Sequence, residues 1–99
     1  MIKEQILDKC VAPNNDLISW KEIDNQIVFL HKKEKSFFEL NKTASIIWKE
    51  AVRKQKIKQI VGIVERKYNK VKKEQLENDT VSFITELLRK EIFIYGKQI

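Results

Sequence analysis

The chain changes from strand to helix within residues 36–48, which read Ser-Phe-Phe-Glu-Leu-Asn-Lys-Thr-Ala-Ser-Ile-Ile-Trp. The segment from Ser36 to Leu40 is short and rich in aromatic residues, which predicts a β-strand. Asn41 follows, and an asparagine side chain can accept a backbone N–H in the first turn of a helix. Beyond it, apolar residues recur at helical spacing and predict one buried stripe, made of Ala44, Ile47, Trp48 and Ala51.

Two further strands are predicted upstream of this junction. Residues 17–23 alternate in polarity, and residues 27–31 are rich in branched and aromatic side chains. Between them, Asp24-Asn25 suits the positive φ angles of a tight hairpin turn. A polar turn at 32–35 leads into the third strand. Residues 15–40 are therefore predicted to form a three-stranded antiparallel meander.

Downstream of the junction, residues 41–91 are predicted to form three helices. In the second, Gly62 lowers helix propensity by up to about 1 kcal/mol relative to alanine, which suggests close packing against a neighbouring helix. The apolar stripe of that helix consists of Ile57, Ile60, Val61, Val64 and Tyr68. The third helix is predicted from about Lys73 to Lys90, and its buried side consists of Leu76, Thr80, Phe83, Ile84, Leu87 and Leu88.

The predicted fold class is α+β: a three-stranded meander followed by a three-helix bundle, similar in outline to a winged helix. Residues 1–99 are expected to form a single domain, since this length suits one hydrophobic core. Residues 1–14 form an N-terminal segment that closes with a predicted loop at Ala12-Pro13-Asn14-Asn15. Residues 92–96 are expected to add a short extended piece at the other end.

Few side chains in this sequence suit catalysis. The single histidine, His31, lies in an apolar strand, where a structural or surface role is favoured. Cys10 has no neighbouring motif that would activate a thiol. No metal-ligand spacing is present, and two glycines in the whole chain exclude a phosphate-cradling loop. We therefore expect no catalytic residue, no metal, no cofactor and no enzymatic activity.

The cysteine count and the hydropathy pattern bear on location. A lone thiol is consistent with a reducing compartment, so a cytoplasmic protein is expected. No apolar run approaches the ~20 residues that cross a bilayer, and the charged N-terminus does not resemble a secretory signal. Membrane association is not expected.

Positive charge is concentrated in the middle of the chain. The net charge is +6 overall, yet Lys49 to Lys73 contains ten basic residues and two acids, a net +8, which leaves −2 elsewhere. Such a surface is typical either of a solvated helix or of contact with an anionic partner.

The segment from Phe38 to Trp48 resembles the signature of the PqqD family: a strand ending in Leu-Asn, a small residue, and then Ile-Trp. The resemblance extends to the tryptophan-containing strand at Trp20–Ile23 and to Leu76–Leu88, a helix that ends in paired leucines. Together these motifs cover about residues 17–95. There are two departures. Glu91 stands where the family often has a glycine after the last helix, and Lys72-Lys73 replaces a good helix cap.

The resemblance implies a peptide-binding protein. PqqD-like domains hold the leader of a ribosomally made precursor peptide between the third strand and the third helix. They present it to radical SAM enzymes, or to the leader peptidase and cyclase of lasso-peptide pathways. An edge strand suits this role because its unpaired backbone groups can accept a further strand. Carried onto this sequence, the residues implied to bind peptide are Lys35, Ser36, Phe37, Phe38, Glu39, Leu76, Asp79, Thr80, Phe83 and Leu87.

Two further points concern these residues. Lys32, Lys33 and Lys35 are expected to favour acidic leader residues. Phe37 and Phe38 must point to opposite faces of the strand, so one of them belongs to the core. The apolar residues of the third helix also fit a plain core, since helical spacing is typical of buried stripes.

The alternative function is that of a winged-helix DNA-binding protein, suggested by three helices, a small sheet and the basic span. A DNA-reading helix carries basic and amide side chains. The third helix instead carries acidic residues, namely Glu74, Glu77, Asp79, Glu86 and, near its end, Glu91. Nucleic acid is therefore not the expected partner.

Overall fold

The computed structural model describes residues 3–96, which form five strands and four helices. The strands are β1 (Val11–Pro13), β2 (Ile18–Ile23), β3 (Gln26–His31), β4 (Ser36–Glu39) and β5 (Phe93–Tyr95). The helices are α1 (Lys3–Ile6), α2 (Lys42–Val52), α3 (Ile57–Lys67) and α4 (Lys73–Arg89). The predicted α+β class is confirmed: a three-stranded meander precedes three helices of 11, 11 and 17 residues.

The meander forms as the sequence predicts. Its strand order is β2-β3-β4, with both pairs antiparallel, so β4 lies at an edge. Asp24 and Asn25 have φ angles of 51° and 68°, the left-handed pair of a tight hairpin turn. The apolar residues of β3 that point inward are buried against the helices, whereas the outward-facing side chains are partly exposed.

The loop predicted at residues 12–15 is wrong in its first half. Ala12 and Pro13 belong to β1, which pairs antiparallel with β5 some 80 residues later in a second sheet. Asn14 donates its N–H to the Ile92 carbonyl at 2.8 Å, and Gly96 donates to the Cys10 carbonyl at 2.9 Å. Because bonded pairs alternate along an antiparallel ladder, Pro13 occupies a position whose N–H is not needed. The extended piece expected at 92–96 is confirmed as β5.

The junction between sheet and helices is joined by two polar side chains. Asn41 caps α2 as predicted, its side-chain oxygen accepting the N–H of Ala44 at 2.8 Å. Ser45 is buried one turn into α2, where its hydroxyl accepts the Ile27 N–H at 2.9 Å. The start of β3 is thereby fixed against α2, which positions the edge strand next to the helical layer.

Gly62 does not mark a close helix contact, contrary to the sequence-based prediction. A β-carbon at this position would meet only the tip of Arg66, at 3.5 Å, an ordinary van der Waals distance. Gly62 also has no positive φ angle. The fold itself therefore does not require glycine here.

The end of α4 is a Schellman motif with an unusual residue in it. Glu91 has a φ of 62°, in the left-handed region where glycine is favoured. Its N–H bonds the Leu88 carbonyl at 3.0 Å, and the Ile92 N–H bonds the Leu87 carbonyl at 2.9 Å. The family's usual glycine is therefore replaced by a strained glutamate, at a cost of about 1 kcal/mol.

Aromatic rings at the centre of the molecule connect the two sheets to α2. Trp48 is fully buried and stacks on Phe29 with ring centroids 5.2 Å apart. It also contacts Phe93 of β5 at 5.0 Å and Trp20 of β2 at 5.9 Å. A single cluster of buried apolar side chains includes residues from β1, β2, β3, β5 and the helices α2–α4. This core fixes β4 and α4 relative to each other.

Candidate strand-edge cleft

The register of β4 shows which of its backbone groups are free. Leu40 donates its N–H to the Ile27 carbonyl at 2.9 Å, which makes this a hydrogen-bonded pair. Since bonded and non-bonded pairs alternate, the Phe29–Phe38 and His31–Ser36 pairs are also bonded. The N–H and C=O groups of Phe37 and Glu39 therefore point away from the sheet. Fewer residues have free backbone groups at this edge than the sequence implied, because Ser36 and Phe38 use theirs in the ladder with β3.

Lys35, one of the residues implied to bind peptide, lies outside β4, in the polar turn predicted at 32–35. It has a φ of 55° and ends the turn between β3 and β4. Its N–H bonds the His31 carbonyl at 2.6 Å, so it offers no donor at the edge. The turn is further held by His31, whose Nδ1 accepts the Glu34 N–H at 3.1 Å. His31 is buried and has this structural role.

The two phenylalanines of β4 have different surroundings. Phe38 lies on the inner face and stacks on Phe29, with ring centroids 4.9 Å apart and a 18° angle between the rings. Phe37 lies on the outer face and is 78% exposed, against 42% for Phe38. Phe38 is thus the residue that joins the core, although part of its ring remains open to solvent.

A cleft of about 460 Å³ lies between β4 and the end of α4. Phe38 and Leu40 form its β4 side, and Leu87 and Ile92 form the opposite side. The remaining lining residues are Phe29, His31, Glu34, Glu39 and Lys90. The interior is apolar, while the exposed side chains of Glu34, Glu39 and Lys90 stand at the rim. A row of free backbone groups is thus adjacent to an apolar cleft.

A second cavity of about 290 Å³ lies further along α4. Leu76, Asp79, Thr80 and Phe83 line its α4 side. The opposite side belongs to the start of α2 and to α3, and consists of Asn41, Thr43, Ala44, Ile47 and Val64. Leu40 lines the first cavity and Asn41 the second, so the two cavities follow one another along the chain at the junction.

The residues that the sequence analysis singled out on α4 fall along one stripe. Residues 76, 80, 83, 87 and 90 are spaced by four and three, so they share the face that lines both cavities. Leu76, Thr80 and Leu87 are buried and form its base, whereas Phe83 is half-buried and Asp79 is exposed at its rim. The stripe therefore has both roles that the sequence allowed. Leu76, Thr80 and Leu87 are buried as core residues, whereas Phe83 and Asp79 are accessible from the cavity.

Some lining residues were not among those named from the sequence. Lys90 is the next residue of the α4 spacing after Leu87, so the periodicity contained a signal for it. Glu34 and Ile92 carried no such signal, because a turn and a Schellman motif bring them to the cleft. Lys32, expected to select acidic residues, donates its ammonium group to the Asn15 carbonyl at 2.7 Å.

Other chemistry is sparse in the part of the chain that the structure describes. The side chains of residues 5–96 include no group of three or more His, Cys, Asp or Glu that could hold a metal ion. Within the same residues, no helix is long and apolar enough to cross a membrane. The Cys10 thiol is 3.4 Å from the Lys54 carbonyl, to which it donates a weak hydrogen bond.

The fold and the cleft define a small α+β domain with an open strand edge facing a helix. The family described as coenzyme PQQ synthesis protein D (PqqD) matches residues 26–92, which include β3, β4, α2, α3 and α4. The chain belongs to this family. Among curated proteins there is no match.

Two solved structures are similar to this chain. One is described as TbiB1 in complex with the TbiA(beta) leader peptide; it is 25% identical, with a TM-score of 0.73, over 89% of this chain and 99% of that one. The other is described as lasso peptide synthetase B1 complexed with the leader peptide. It is 19% identical, with a TM-score of 0.72, over 85% of this chain and 96% of that one. The second likeness concerns the fold alone.

Proposed function

We propose that this protein is a leader-peptide recognition element, which binds a ribosomal precursor peptide by strand addition and presents it to modifying enzymes. The observation that carries the proposal is the outward-facing backbone of Phe37 and Glu39, next to the apolar cleft between β4 and α4. Membership of the PqqD family and the likeness to TbiB1 in its leader-peptide complex support it.

The proposed binding mode follows from strand geometry. A leader that pairs with β4 exchanges backbone hydrogen bonds with Phe37 and Glu39, and its side chains then alternate between the two faces. Side chains on the inner face enter the cleft beside Phe38 and Leu87. Those residues are apolar, so we expect apolar leader side chains at every second position.

The proposed site contains the residues named from the sequence, with their roles refined. Phe37 and Glu39 supply the backbone edge, and Phe38 forms the inner wall. Leu76, Thr80 and Leu87 form the base along α4, while Asp79 and Phe83 are accessible at the second cavity. Ser36 and Lys35 hold the strand and its turn in place.

The role we propose is docking, without catalysis, in the cytoplasm. The partners are the precursor peptide and one processing enzyme, either a radical SAM maturase or the peptidase and cyclase of a lasso-peptide pathway. The DNA-binding alternative gains no support from α4, whose solvent-facing side carries Glu74 and Asp79. Acidic groups at these positions would repel phosphates.

The test is a titration with the labelled leader of a candidate precursor peptide, chosen from the short reading frames that neighbour the gene. We expect saturable binding that Phe83→Ala weakens, because Phe83 is the most accessible apolar residue of the α4 stripe. Thr85→Ala is the matched control, since Thr85 lies on α4 outside both cavities. Binding that neither cleft variants nor strand-edge variants alter would refute the proposed site.

A further inference from the structure

Gly62 forms part of a shallow groove of about 540 Å³ on the surface of α3. The other lining residues are Glu65, Arg66, Asn69 and Lys73. Residues 62, 65 and 66 lie on the face of α3 away from its buried stripe, while Asn69 follows the helix and Lys73 begins α4. Neither a positive φ angle nor a close neighbour requires glycine at position 62. Because glycine has no side chain, the floor of the groove is open at this position.

Positive charge surrounds this groove. From residue 66 to residue 73 the chain carries five basic side chains and no acid, namely Arg66, Lys67, Lys70, Lys72 and Lys73. All five are exposed. Among the side chains of residues 5–96, none of the five has an acidic partner within 4 Å. Elsewhere in the basic span, by contrast, Lys49, Arg53 and Lys58 pair with acids at 3.2, 3.5 and 2.7 Å.

The groove is separate from the strand-edge cleft. It shares no lining residue with either of the two cavities along α4. On α3, Val64 lines the second cavity, whereas Gly62 and Arg66 lie on the other side of the helix. A ligand in this groove therefore does not need to displace a peptide on β4.

We propose that this groove is a second docking surface, which binds an acidic segment of a partner protein. Charge complementarity selects an anion, and the Arg66 guanidinium with the Asn69 amide suits the paired oxygens of a carboxylate. The partner's identity as the processing enzyme rests on the proposed function; the groove's preference for acidic protein segments does not.

A short run of carboxylates fits this groove better than a nucleic-acid backbone does. Glu65 lines the groove and Glu74 follows Lys73, so the positive surface extends over only a few residues. Nucleic-acid binding draws its strength from many phosphate contacts along an extended track, and this groove is short. A brief run of acidic side chains matches its length.

The test compares two double variants by fluorescence anisotropy with a labelled decaglutamate. Arg66→Glu/Lys73→Glu changes the groove, and Lys21→Glu/Lys42→Glu changes two exposed lysines, one in β2 and one at the start of α2. Each double variant lowers the net charge from +6 to +2. We expect the groove variant to weaken decaglutamate binding by about tenfold and the control to weaken it by about twofold.

A third variant, Gly62→Leu, keeps the charge and fills the groove floor. Leucine is a strong helix former, so we expect a folded protein by circular dichroism and weaker decaglutamate binding. Equal losses in both double variants would overturn the proposal, since net charge alone would then explain the binding. Unchanged binding in Gly62→Leu would also overturn it, because the groove itself would then be irrelevant.

Two parallel titrations distinguish this proposal from others. A labelled thymidine oligonucleotide of equal charge that binds more tightly, and loses affinity in the groove variant, would indicate a nucleic-acid surface and overturn the protein partner. Leader titration of the groove variant should give unchanged affinity, and a loss there would make the groove part of the leader site. If decaglutamate binds as expected and no leader binds the wild type, the proposed function fails while the groove stands.

Discussion

The strand-edge cleft lies between β4 and the end of α4, the Gly62 groove lies on α3, and the two depend on different physics. The cleft combines free backbone groups of β4 with apolar side chains, so its affinity should come from a ladder and from burial. The groove is surrounded by exposed cations, so its affinity should come from charge and fall with salt. Each region also contains one residue that is unfavourable for helix stability at its position. Glu91 occupies a left-handed position beside the cleft, and Gly62 occupies a helix interior in the groove.

Glu39→Pro should have the largest effect on the cleft. Proline removes the outward N–H and places its ring on the free edge, yet it leaves the β3–β4 ladder intact. We expect leader affinity to fall at least about tenfold, while decaglutamate binding is unchanged. Glu39→Ala keeps the N–H and is the control. Equal losses in both variants would show that the side chain matters and not the edge.

A comparison of Phe38→Ala with Phe37→Ala should show which face of β4 packs against the core. Phe38 stacks on Phe29 and is more than half buried, so its removal should lower the free energy of unfolding by about 1–2 kcal/mol. Phe37→Ala removes a ring that is 78% exposed and should change the free energy of unfolding by less than about 0.5 kcal/mol. Urea unfolding of the two variants measures the difference. The reverse order of stabilities would contradict the assigned faces.

Glu91→Gly should stabilise the protein by about 1 kcal/mol, because glycine adopts the left-handed conformation without steric cost. Thermal unfolding measures this gain. Glu91 is not among the lining residues of the strand-edge cleft, so leader affinity should stay constant. A loss of stability would mean that the Schellman motif needs the glutamate side chain.

Gly62→Ala should stabilise α3 by up to about 1 kcal/mol, since the new methyl group meets only the Arg66 tip. The same substitution narrows the groove, and we expect slightly weaker decaglutamate binding with unchanged leader binding. Chemical denaturation and anisotropy together test the pair of effects. Destabilisation would show that a neighbour does approach Gly62.

Lys58→Met should have the smallest effect. The Lys58 ammonium bonds the Asp8 carboxylate at 2.7 Å and, mainly through this bond, lowers the pKa of Asp8 below its usual 3.8. The stabilisation is present above pH 3.8 and is lost as the pH falls through the lower folded-state pKa. An NMR titration should show the Asp8 pKa returning upward in the variant. Decaglutamate binding should not change, because this cation is already paired.

Local signals made much of the cleft predictable from the sequence. The Asp24-Asn25 turn, the Asn41 cap and the α4 spacing each act within a few residues, so they can be recognised without the fold. The β1–β5 pair was missed because its strands have three residues each and are distant in sequence. Pro13 also resembles a loop signal there.

Other features depended on atoms that only the fold brings together. The sequence placed Phe37 and Phe38 on opposite faces but not which face was inner, since that depends on the register with β3. The free groups of Phe37 and Glu39 depend on the same register. The number of lysines indicated a basic surface. Which of these cations have an acidic partner could be determined only from the positions of the acids in the fold.

Backbone hydrogen exchange of β4, measured by NMR with and without the cognate leader, tests whether the leader adds as a strand at this edge. We expect the amides of Phe37 and Glu39 to exchange readily in the free protein and to become protected when the leader binds. The amides of Ser36 and Phe38 should be protected in both states, because they belong to the β3–β4 ladder. Saturating leader binding with Phe37 and Glu39 still unprotected would contradict strand addition at this edge.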